Sequence, residues 1–172
     1  MAQQTLTLEG CFTGDQRKKI NDNFTELYGI GNGSTIACGS ARTMTTSDAG
    51  KTVFLDTASG STATLPASSG SGYVYKFVVS VLATSNSHVI KVANSTDAMD
   101  GFIFTRDDTS DAANAFFAVA GTSDTITLNR TTTGSVVIGE TITITDIASG
   151  RYHVEGFIAN TGTPATPFSA TV

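Results

Sequence analysis

The stretch YVYKFVVSVL, residues 73–82, decides how this chain reads. It is a strand pattern, and its apolar content places it at the centre of a sheet. Working outward, the flanking segments have the same character. Upstream, STATLPAS (61–68) directs Ala63 and Leu65 inward and stops at Pro66, and SGSG (69–72) turns the chain. Before that, ARTMTTSDAGKTVFLDT (41–57) suggests a strand, a turn at Ser47–Gly50 and a second strand through Val53–Leu55. Downstream, TSNS (84–87) is a turn and HVIKVAN (88–94) alternates. The segments MDGFIFTRDD, AFFAVAG, DTITLNR, GSVVIGETITITDIASG and RYHVEGFIAN continue the pattern to residue 160. TGTPATPFSATV (161–172) reads as extended. About nine to eleven strands spaced 8–12 residues apart are the signature of a β-sandwich or barrel-like antiparallel domain.

One segment breaks the pattern. KKINDNFTELYG (18–29) carries Ile20, Phe24, Leu27 and Tyr28 at helical spacing, one apolar face of an α-helix. Thr13 and Gln16 form a capping-box pattern, Asp15 suits the positive end of the helix dipole, and Gly29 supplies a stop. TLTLEG (5–10) precedes it as a short strand or extended arm. GIGNGSTIACGS (29–40) follows as a Gly-rich hinge. The organisation expected is therefore an N-terminal arm over 1–34 and a β-body over 35–172. So short a helix is unstable alone and must bury its stripe on its own domain, a second copy or a partner.

Composition narrows the function classes. Only 15 % of residues are charged, Trp is absent, and the net charge is −5. That balance argues against nucleic-acid binding, which needs a basic footprint. The apolar runs are too short for a helical membrane span, and the polar start MAQQTLTLEG lacks the pattern of a secretory leader. Arg17, Lys18 and Lys19 form the one basic cluster, suited to an acidic partner surface or to a solvated helix start. Cys11 and Cys38 are too few for a disulfide scaffold; they allow one link between the N-terminal segment and the first strand, or two free thiols if the protein is made and used inside a cell.

Three segments together resemble tailed-bacteriophage virion proteins: KINDNFTELYG (19–29), TTSDAGKTVFLDTASGSTATLPASSGSGYVYKFVV (45–79) and ANTGTPATPFS (159–169). The small size and the lack of long fibre repeats resemble head decoration (cement) proteins. That resemblance implies a homotrimer on the outer surface of the head, bound to the major capsid protein and made in the host bacterial cytoplasm. It carries over no catalytic residue, metal or cofactor. The residues placed at the docking surface are Arg17, Lys18, Lys19, Ile20, Phe24, Leu27 and Tyr28. The competing reading is a tail-associated carbohydrate- or receptor-binding β-module. The absence of Trp, and Tyr residues confined to helix and strands, favour the structural role.

Candidates for chemistry are sparse. His88 and His153 are the only histidines, each in a strand pattern, and read as packing or surface residues. His153 and Glu155, two apart, share a strand face but make only half a metal site. TRDDTSD (105–111) and STDAMDG (95–101) lack EF-hand spacing and read as solvated loops.

Overall fold

The computed structural model describes residues 14–31 and 34–172, the side chains of 25–31 excepted. The chain divides into two compact units, one ending at Ser34 and the other spanning Thr35–Val172. The expected strand over 5–10, the Thr13 cap and Cys11 lie outside the described residues.

In the first unit a single helix, α1 (Gly14–Gly31), forms around the predicted stripe. Asp15 lies in its first turn, and Lys18 reaches Asp22 one turn on at 2.7 Å. That pair is exposed and solvent-screened, so it adds little to stability. The helix runs two residues past Gly29. A lone glycine inside a helix costs about 1 kcal/mol, too little to end it by itself.

The second unit is mainly β, with two sheets over one core. Its first six strands are β1 (Thr35–Ala37), β2 (Ala41–Thr43), β3 (Thr52–Leu55), β4 (Thr62–Thr64), β5 (Val74–Val79) and β6 (His88–Lys91). The chain alternates between the sheets at every turn. Consequently β1, β3 and β5 lie side by side and parallel in one sheet, while β2, β4 and β6 do so in the other. The result is three coils of a two-sided solenoid. Ile36, Val53 and Phe77 stack in one column, and Ala63 and Ile90 in the column of the other sheet.

The remaining strands are β7 (Ala98–Asp107), β8 (Ala113–Phe117), β9 (Thr125–Leu128), β10 (Thr141–Ala148), β11 (Arg151–Asn160) and β12 (Phe168–Ser169). They complete a seven-stranded sheet, β1-β3-β5-β10-β11-β7-β8, and a five-stranded one, β12-β9-β6-β4-β2. The architecture is sandwich-like, as the strand spacing implied. The pairing is mixed rather than antiparallel, because a parallel neighbour needs a crossover and here the opposite sheet supplies it. The two extra short strands are β1, inside the supposed hinge, and β12, near the chain end.

Between the sheets lies one apolar cluster drawn from residues 38–168. Its largest fully buried side chains are Tyr75, Tyr152, Phe77 and Met44. Each tyrosine keeps its hydroxyl paired: Tyr75 donates to the Thr45 carbonyl at 3.4 Å and Tyr152 to the Pro66 carbonyl at 2.7 Å. As expected, β5 is an interior strand, and it sends Tyr75, Phe77 and Val79 inward.

Candidate docking site

Of the seven residues placed at the docking surface, all lie on α1. Phe24 is 46 % exposed and Ile20 half-buried, so this part of the stripe remains largely open. Lys19 is exposed, and Lys18 is tied to Asp22. The Leu27 and Tyr28 side chains lie outside the described part.

Several titratable groups of the β-unit hold loops in place. His88 is fully buried. Its Nδ1 accepts from the Ser61 backbone N–H at 3.0 Å, which leaves the proton on Nε2 to face the Val81 carbonyl at 2.8 Å. Burial holds this imidazole below its ordinary value, in the neutral form that both bonds require. The packing reading of His88 therefore stands.

Carboxylates do similar work. Asp146 accepts from the backbone N–H groups of Ser69, Gly70 and Ser71, at 2.8–3.1 Å, and from both flanking serine hydroxyls. Burial alone would raise its pKa, but those donors outweigh it and hold the carboxyl at about 2. Asp97 grips Ser68 in the same way, and Asp124 holds the backbone N–H groups of Thr171 and Val172 near the chain end. Glu140 collects the N–H groups of Ser135, Val136 and Val137, yet burial still pushes its carboxyl upward.

The acidic loops are equally occupied. Asp107 closes a turn onto Thr109 and Ser110, Asp111 meets Arg106 at 2.8 Å, and Asp100 meets Arg151 at 2.8 Å. Among the described residues no cluster of three or more His, Cys, Asp or Glu could hold a metal ion. Cys38 is a buried free thiol, pushed up to about 11 by burial and then by nearby Asp56. His153 and Glu155 do share the outward face of β11.

That outward face holds what sequence reasoning missed. Phe102 and Phe104 on β7, Phe117 on β8 and Phe157 on β11 meet on the outer side of the seven-stranded sheet. The ring centroids lie 5.2 Å apart for Phe102–Phe104, 6.1 Å for Phe102–Phe117 and 5.8 Å for the stacked Phe104–Phe157. Phe104 is 44 % exposed, Phe157 67 % and Phe117 69 %. The local signal was present in FIF (102–104): side chains alternate along a strand, so if Ile103 faces the core both phenylalanines must face away.

Comparison with protein-family models, with curated proteins and with solved structures finds no match to the chain. Functional argument therefore rests on the molecule itself. Chemically, the described surfaces offer exposed phenylalanines on the seven-stranded sheet and a few charges. Among the described residues no helix is long and apolar enough to cross a membrane.

Proposed function

We propose that this chain is a decoration protein of a tailed-phage head, docking on the capsid through α1 and stabilising the shell. The observation that carries this reading is the open Ile20–Phe24 stripe on α1, with Phe24 46 % exposed. The resemblance of residues 19–29 and 45–79 to phage particle proteins supplies the identity of the shell. Lys18 and Lys19 beside the stripe suit an acidic capsid surface. Binding that occurs only on the assembled lattice stabilises it by mass action, with no reaction required.

The test is binding of the purified protein to phage shells that lack it. Saturation at a fixed copy number per lattice point is the expected result, and Phe24→Asp should weaken it at least tenfold, since one anchor of this size dominates a small contact. Saturation that Phe24→Asp leaves untouched rules out docking through α1. Attachment to host cells or to polysaccharide, with none to shells, replaces this reading with that of a tail-associated binding module.

A further inference from the structure

The outer face of the seven-stranded sheet carries apolar side chains on both sides of its middle strand and, beside Thr143, one charge of each sign. Its central strand is β10, with three strands on either side. Three rows of outward side chains cross the sheet; the third, with Val74 and His153 on either side of Thr145, lies beyond the two that fix the fit. In the first, Phe54 and Val78 stand on one side of Thr141, and Phe157 and Phe104 on the other. In the second, Lys76 and Glu155 flank Thr143 at one strand's distance on opposite sides. Both charges are exposed, and neither forms an ion pair among the described residues.

We propose that this face is an interface between two copies of the chain, related by a twofold axis lying in the face and running along β10. Such an axis exchanges the two sides of the sheet and keeps each row in place. Phe104 of one copy then lies over Phe54 of the other, and Phe157 over Val78. Lys76 lies over Glu155, and the symmetry repeats every contact.

Charge decides the direction of the axis. A twofold across the strands at the second row would set Lys76 on Lys76 and Glu155 on Glu155. A twofold between the rows would set each charge on an apolar side chain of the other row, buried and unpaired, which is costly. Only the axis along β10 pairs opposite charges. It also leaves the strands of the two copies nearly aligned, the usual geometry for stacked sheets.

Size is adequate as well. Seven strands about 4.8 Å apart span ~30 Å, and three outward rows cover ~20 Å along them, so the footprint is on the order of 600 Å² before side-chain relief is counted. A standard interface uses about 800 Å² per partner. An exposed phenylalanine cluster of this kind is rare on a monomer surface and is explained by cover. The proposal is independent of shell docking and replaces the trimer that the phage resemblance implies with an isologous pair.

Sedimentation analysis of the full chain over a micromolar concentration series tests it. A species of twice the 17.8 kDa chain mass is expected. Phe157→Asp should leave a monomer. Lys76→Glu and Glu155→Lys should each weaken the pair by about tenfold or more, and the double exchange should restore it. All three positions point away from the core, so circular dichroism should show an unchanged fold. A monomeric or trimeric wild-type chain overturns the proposal, and so does a double exchange that fails to rescue.

Discussion

Asp146 shows how one residue holds a fold that has few charges to spend. Its folded carboxyl sits at about 2, below the ordinary 3.8, so the folded state binds its proton more weakly than the unfolded chain does. The stabilisation is therefore complete above the ordinary carboxylate range and disappears as pH falls toward 2. Urea midpoints measured from pH 7 down to pH 2 should drop through that window. Asp146→Asn should lower stability by about 2 kcal/mol at pH 7, because it leaves one neutral amide oxygen where two charged oxygens accept from the loop N–H and hydroxyl groups, and should flatten the acid limb. His88 works by the same economy: a histidine read from the sequence as a packing or surface residue is a two-ended link between Ser61 and Val81. Its role was not legible in the sequence, since its two partners stand 27 and 7 residues away.

Among the elements, the β7–β11 pair is the most exacting. Its strands run parallel over ten residue pairs. Gly101 sits inside β7 with φ +137°, a conformation other residues rarely adopt, and a Cβ there would strike the Val154 carbonyl. Gly101→Ala should destabilise the protein by at least about 3 kcal/mol, visible as a lowered thermal midpoint or as loss of soluble protein. The elements themselves were largely readable: β3, β4, β5, β6 and the helix stand where alternation and helical spacing put them. Their ends were less so. Gly29 looked like a stop, but one glycine is a small penalty, and the helix continues to Gly31. β1 was hidden in a Gly-rich stretch, because three residues pairing with β3 need little intrinsic strand preference.

For the whole molecule, the division of the chain at Ser34 has a measurable consequence. Removing residues 1–34 should leave the urea transition of the β-unit within about 0.5 kcal/mol of its full-length value, because Thr35–Val172 is a compact unit with its own core cluster drawn from residues 38–168. The same truncation should abolish saturable binding to shells, while self-association through Phe157 and Lys76 persists. The sequence by itself determined the β class, the lone helix and its apolar stripe, and the inward residues of β5, for these follow from periodicity, which is local. Only the tertiary structure decided that successive strands alternate between sheets, and so pair in parallel with their next-but-one neighbours. Only it assembled phenylalanines 102, 104, 117 and 157 into one surface and set Lys76 and Glu155 on either side of β10. The physical reason is that pairing order is a long-range choice among sheet edges of similar local preference. Which side chains become neighbours across a sheet is settled by that choice and by nothing nearer in the chain.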